Sequence, residues 1–208
     1  MSRYTDAKCR LCRRQGVKLF LKGPRCLTPK CAFEKRPFAP GMAKGTRRRL
    51  SGYGVQLREK QKVRFIYGIS ERQFNNYFEK ASRILGVTGE NFLRFLEKRL
   101  DNVIYRIGIA DSRSDARQMV LHCHFKVNGK GVNIPSFSVS VGDVIELSEA
   151  GKQNKKIKEI IEEKEQLNPP TWLEFHPEPF SVTVTREPKR DDIDYQVEES
   201  LIVEFYSK

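Results

Sequence analysis

The chain has little of what most catalysis and all helical membrane insertion require. Its 208 residues hold three histidines and one tryptophan. There is no Gly-rich phosphate loop and no G-x-S-x-G turn, which removes the usual nucleotide cradle and the usual serine nucleophile. No run of about 18 apolar residues occurs, so no helix of this sequence spans a bilayer. The N-terminal segment is polar and cysteine-bearing, unlike a secretory signal. The chain is therefore expected in the cytosol, where clustered cysteines bind metal more often than they form disulfides. No internal repeat is present, and neither Asp101 nor Asp111 has a partner that the sequence identifies. An enzyme with a small-molecule substrate is not expected.

Acidic residues are scarce in one place. Residues 1–50 hold 15 Lys and Arg but only Asp6 and Glu34 as acids, a balance of +13. Residues 51–130 hold 15 basic and eight acidic residues, and residues 131–208 hold nine and 16. The whole chain carries +13. Charge of that size at this length points to a polyanion, most often nucleic acid. The N-terminal half should meet it, and the acidic C-terminal third should face solvent or protein.

The cysteines have a pattern. Cys9-x2-Cys12, thirteen residues, then Cys26-x4-Cys31 is a spacing for one tetrahedral Zn²⁺ held by four thiolates. Four sulfurs fill the coordination shell, so the ion is expected to be structural. A stretch this short and charged has too few apolar side chains for a core, and metal would hold residues 1–45 folded. Lys8, Arg10, Arg13 and Arg14 can offset the net charge of such a centre. Residues 34–54 follow as a connector rich in Pro, Gly and Arg. Two readings of it stay open: a disordered tail, and a strap along phosphates through Arg47, Arg48 and Arg49.

From Val55 to Tyr67 helix formers dominate. Ser70 with Gln73 then reads as a capping box, and Phe74, Tyr77, Phe78, Ala81 and Leu85 form one helical face ended by Gly86. A third helix follows Thr88-Gly89. Residues 46–97 thus form a helical domain.

The stretch from Glu97 to Leu147 is more specific. Leu100, Val103, Ile104 and Ile107 lie on one helical face, and Gly108 can cap its end. Ser112 is an N-cap, with Asp115 three residues on. Ala116, Met119 and Val120 make a second apolar stripe, with Arg113 and Arg117 standing off another side. After His124 the period becomes two: Phe125, Val127, a turn at residues 128–131, then Val132 and Ile134. If a strand begins at His122, then His122 and His124 share one face and Cys123 is a buried, inert thiol on the other.

Residues 155–166 read as a charged surface helix, Trp172, Leu173 and Phe175 as an apolar anchor, and residues 180–184 as a strand. The closing segment fits helix or strand. It packs down in either case, with the helical domain as one place for it. The fold class is α+β: a zinc knuckle, a helical domain, then a helix-helix-hairpin within an α+β domain of residues 98–194 that continues into a small antiparallel sheet.

Residues 97–147 resemble the RNA-binding module named after the fourth small-subunit ribosomal protein, through Arg99-Leu100-Asp101-Asn102-Val103, Tyr105-Arg106, Ser112-Arg113, Ala116-Arg117-Gln118 and Val127-Asn128-Gly129. The four cysteines, Tyr53-Gly54, Gln56-Leu57, Glu59-Lys60-Gln61-Lys62, Arg72-Gln73-Phe74 and Val203-Glu204-Phe205-Tyr206-Ser207 extend the likeness to the bacterial form of that protein over nearly the whole chain. The resemblance implies a structural constituent of the small ribosomal subunit. Such a protein binds a helix junction in the 5′ domain of the ribosomal RNA and nucleates assembly. It lies beside the fifth small-subunit protein and the path by which mRNA enters, and it affects decoding accuracy. The alternative is a zinc-containing regulator that uses the same module outside the ribosome. An RNA-modifying enzyme would need a catalytic domain for which the chain leaves no room.

On these grounds the RNA-facing residues are Lys8, Arg10, Arg13, Arg14, Lys22, Arg25, Arg47, Arg48, Arg49, Lys60, Lys62, Arg72, Arg113, Arg117, His122, His124, Lys126 and Asn128. The ligands of the one Zn²⁺ are Cys9, Cys12, Cys26 and Cys31. Cys123 departs from the family, which usually has Gly there. Met42-Ala43-Lys44 replaces the Gln-His-Gly common after Gly41.

Overall fold

The computed structural model describes residues 4–41, 50–163, 169–176 and 179–207. The expected strap residues Arg47, Arg48 and Arg49 lie outside these. The chain forms two compact units, one of residues 1–92 with 195–208 and one of residues 93–194.

The first unit begins with α1 (Cys9–Gln15), a 3-10 turn at Gly23–Cys26 and a single-turn α2 (Ala32–Lys35). Two longer helices follow, α3 (Gly52–Tyr67) and α4 (Glu71–Ser82). Ser51 starts α3 by accepting from the Gly54 N–H, and Ser70 starts α4 by accepting from that of Gln73. Each cap satisfies an amide that the first helical turn leaves without a partner. The helix α5 (Thr88–Glu97) carries the chain from the first unit into the second. The ambiguous C-terminal segment is a helix, α10 (Glu199–Tyr206), packed on α3. Aromatic side chains join the two ends of this unit. Phe78 stacks on Tyr206 at 4.6 Å, and Phe74 meets Phe92 edge-on at 4.8 Å. Glu204 accepts from Gln56 at 2.8 Å. The Leu85 expected on the α4 face is 97% exposed, because α4 ends at Ser82.

The second unit holds α6 (Leu100–Ile107) and α7 (Arg113–Leu121), then a five-stranded antiparallel sheet in the order β2-β1-β3-β5-β4. Its strands are β1 (Phe125–Val127), β2 (Lys130–Gly131), β3 (Val144–Leu147), β4 (Leu173–His176) and β5 (Ser181–Val184). Two helices, α8 (Glu149–Gln153) and α9 (Lys155–Glu163), lie between β3 and β4 in the chain. Leu100, Val103, Ile104 and Ile107 of α6 and Ala116, Met119 and Val120 of α7 bury the stripes expected of them. They pack with Phe125, Ile145, Val182 and Trp172, the last fully buried. Ser112 caps α7 through the Asp115 N–H, and Gly108 ends α6 at φ 94, a left-handed angle that a Cβ disfavours. The hairpin's second strand is shorter than expected, and Ile134 is exposed beyond it. The helix α8 also departs from expectation. Its signal was Ser148, which accepts from the Gly151 N–H. A side chain on Gly151 would overlap the His124 carbonyl oxygen, so only glycine allows α8 this close to the start of β1.

Candidate nucleic-acid interface

In the first unit Cys9 and Cys12 lie on α1, Cys26 ends the 3-10 turn and Cys31 precedes α2. Cys12, Cys26 and Cys31 are buried and Cys9 is half-buried. Burial pushes the Cys12 thiol up. A hydrogen bond from the Leu19 backbone pulls it partly back, and the charges of Cys26, Cys9 and Cys31 raise it further. No three metal-binding side chains among the described residues stand arranged to hold an ion. The donor set itself is four soft thiols, the chemistry that suits Zn²⁺.

The cations around the thiols fall into two groups. Arg10, Arg14, Lys22 and Arg25 are exposed and have no ion-pair partner among the described residues, and the same holds for Lys30, Lys35 and Arg36. Lys8 is half-buried. Arg13 is committed to the fold. Its Nε donates to the Phe38 carbonyl at 3.0 Å and its guanidinium lies 5.5 Å from the centre of that ring. Lys18 pairs with Glu34.

Further along this unit, Arg72 is exposed but Lys60 is not. Expected at the RNA, Lys60 is instead 4% exposed, paired with Glu71, and sits 4.8 Å from the centre of the Phe205 ring. The α3–α10 packing encloses it. Tyr206, whose hydroxyl donates to Glu71 at 3.2 Å, titrates well above the ordinary tyrosine range, first because it is buried and then because Glu71 is near. Lys62 is half-buried and pairs with Glu59 at 2.7 Å.

The second unit corrects the reading of the α7 arginines. Arg117 does not stand off the helix. It is 7% exposed and donates to Asp101 Oδ2 at 3.3 Å. Asp101 also takes two bonds from Arg99, at 3.0 and 2.6 Å, and Arg99 is fully buried. Two guanidinium groups thus neutralise a carboxylate that the sequence had left without a partner. Beside them, Arg106 bonds the buried Glu97 carboxylate at both oxygens, each at 2.9 Å. Asn102 joins Glu97 to Arg113, donating to the first at 2.8 Å and accepting from the second at 2.8 Å. The Arg113 guanidinium also covers the Tyr105 ring at 4.3 Å. The phrases Arg-Leu-Asp-Asn and Tyr-Arg are therefore internal fasteners of α6 and α7. Periodicity could not find the α7 contacts, because Arg113 and Arg117 reach Asn102 and Asp101 only when α6 packs on α7.

Asn128 also works internally. It holds a left-handed φ of 51 and its side chain bonds Asp143 and the Val144 N–H, which locks the hairpin turn to β3. What this unit leaves outward near the hairpin is His122, Lys126 at half exposure, and Lys130. His124 accepts from the Asn154 side chain at 3.2 Å, and burial, then the neighbouring His122, lower its pKa, so the ring is neutral at pH 7.

Cys123 is not on a strand. It lies two residues past the end of α7, after the capping His122, at φ 59 and is exposed. The His124 N–H reaches back to the Met119 carbonyl at 3.3 Å and the Cys123 N–H to that of Val120 at 3.0 Å, a closing turn that favours glycine. The Cys123 carbonyl accepts from Ser148 Oγ at 2.7 Å, which fixes the turn against α8.

Comparisons with known proteins agree with this arrangement. Residues 3–97 match the model of the ribosomal protein S4/S9 N-terminal domain, and residues 98–145 match that of the S4 domain. The chain is 56% identical to small ribosomal subunit protein uS4 of Pelotomaculum thermopropionicum and of Clostridium tetani, and 55% identical to that of Halothermothrix orenii. Each of these alignments covers all 208 residues and the full length of the relative. No helix among the described residues is long and apolar enough to cross a membrane. An N-terminal basic region followed by a module braced by buried arginines, with both parts matched by adjoining family models, places this chain in the ribosomal protein S4 family.

Proposed function

We propose that the chain is a non-enzymatic constituent of the small ribosomal subunit in the cytoplasm, binding its ribosomal RNA by phosphate neutralisation and shape. One observation carries this reading: the N-terminal region exposes seven basic side chains, Arg10, Arg14, Lys22, Arg25, Lys30, Lys35 and Arg36, with no ion-pair partner among the described residues. RNA helices hide their base edges in a deep groove, so charge and a rigid matching surface do more than sequence readout. The fastened α6–α7 pair supplies rigidity, and the N-terminal cations supply charge. The finer reading, carried over from the family, is a helix junction in the 5′ domain, early binding that nucleates assembly, and a place beside the fifth small-subunit protein and the incoming mRNA, with an effect on decoding accuracy.

Zinc belongs to the same proposal. Cys9, Cys12, Cys26 and Cys31 would hold one ion, and its role would be to keep the N-terminal region folded while the surrounding cations face phosphates. The raised Cys12 thiol favours the protonated form without metal, so zinc uptake releases protons and weakens as pH falls.

The test is a titration of a small-subunit 5′-domain RNA transcript over a salt series. With about six to ten phosphate contacts, affinity should fall by about 10³–10⁵ between about 50 and 200 mM salt. A flat salt dependence, or equal affinity for duplex DNA, sinks the reading. Removal of zinc by a chelator should speed amide exchange in residues 9–36 and leave α3 to α7 unchanged. Unaltered exchange there excludes the metal.

A further inference from the structure

The N-terminal region presents one aromatic ring that the fold does not use. Leu19 and Phe20 are adjacent and opposite in fate: Leu19 is 2% exposed and Phe20 39%. Leu19 is held inward by burial and by its backbone hydrogen bond to the Cys12 thiol. Phe20 sits at φ 50, in the left-handed region. A bulky side chain rarely enters that region, because its Cβ crowds the neighbouring carbonyl. The kink keeps Leu19 in the interior and leaves Phe20 at the surface.

The other exposed aromatic rings of this segment have partners. Tyr4 lies 6.4 Å from Phe65, and Phe38 is covered by Arg13. Phe20 has no ring or cation over it among the described residues. Two and five residues further on, Lys22 and Arg25 are exposed without ion-pair partners. An open ring among uncompensated cations matches the two faces of a nucleotide, a flat base to stack and a phosphate to neutralise. An uncharged protein surface would instead have to desolvate those cations without recompense.

We propose that Phe20 is a stacking residue for an unpaired nucleotide of the bound RNA, with Lys22 and Arg25 meeting the phosphates that flank it. This rests on the RNA-binding reading above and adds a contact to a base. Phosphate neutralisation alone predicts none.

The experiment uses the full chain and the same 5′-domain transcript. Phe20→Ala should raise Kd by about 5- to 150-fold, the range for losing one base–aromatic stack. The slope of log affinity against log salt should not move, because phenylalanine carries no charge. Phe20→Gly adopts the left-handed backbone freely and also lacks the ring, so it should lose the same affinity without added strain. Phe20→Trp should bind like wild type, and its emission should be quenched on RNA addition. The native Trp172 is fully buried and supplies a constant background measured on wild type. Wild-type affinity in both Phe20→Ala and Phe20→Gly overturns the inference alone, as does unquenched Phe20→Trp emission in a chain that binds. If the wild-type chain does not bind the transcript, the RNA-binding reading falls and takes this inference with it.

Discussion

The N-terminal region and the α6–α7 module are both rich in arginine, yet they use it in opposite ways. In the module, Arg99, Arg106 and Arg117 are tied to Asp101 and Glu97, carboxylates within the same stretch of chain. In residues 4–41 only Asp6 and Glu34 offer acid, and seven exposed basic side chains have no ion-pair partner among the described residues. The difference lies in the local supply of acids. A cation with a carboxylate within reach of the next helix becomes structural, whereas a cation without one stays available to a polyanion. Net charge alone does not reveal which of the two a given arginine is.

The comparison breaks most sharply at Asp101. Its replacement by Ala leaves Arg99 and Arg117 buried without a counter-charge, and stability should fall by about 3–5 kcal/mol. Denaturant unfolding checks this. A loss too small to measure would mean that the arginines re-solvate, and that the module is no more fastened than the N-terminal region.

A smaller change is expected at the turn that leaves α7. Cys123 adopts φ 59 with a full side chain. Cys123→Gly removes that strain at the cost of some chain entropy, and should stabilise the chain by about 0.5–1 kcal/mol. A rise in Tm with unchanged RNA affinity would show that the turn is a matter of backbone geometry. A loss of affinity would instead bring the Cys123 side chain into the interface.

The smallest effect on stability belongs to the N-terminal region. Arg14→Ala should leave stability within about 0.5 kcal/mol of wild type. The same change should reduce the slope of log affinity against log salt by about 0.7–0.9, the share of one phosphate contact. Thermal unfolding and the salt series, run on one preparation, separate the two outcomes. Measurable destabilisation would show that Arg14 is as internal as Arg117.

Much of the fold was legible along the chain. Ser51 aside, the caps at Ser70, Gly108 and Ser112 and the apolar stripes of α6 and α7 follow from local chemistry, since a capping hydroxyl and its amide are three residues apart. The cysteine spacing and the surplus of base over acid in residues 1–50 are properties of order and composition, and no folding was needed to read them. Tertiary structure decided the fate of Lys60 and Arg117. Lys60 reads as one more base in a helical run, yet α10, more than 130 residues later, brings Phe205 and Tyr206 over it. Arg117 reads as the outward mate of Arg113, yet the packing of α6 on α7 puts Asp101 beneath it. The left-handed angle at Cys123 likewise depends on where α7 stops and on Ser148 reaching its carbonyl. Helical period gives a side chain's direction relative to its own axis. Whether that direction leads to water, to an acid or to an aromatic ring is set by elements far away in the chain, and that is where the sequence ceased to determine this protein's surface.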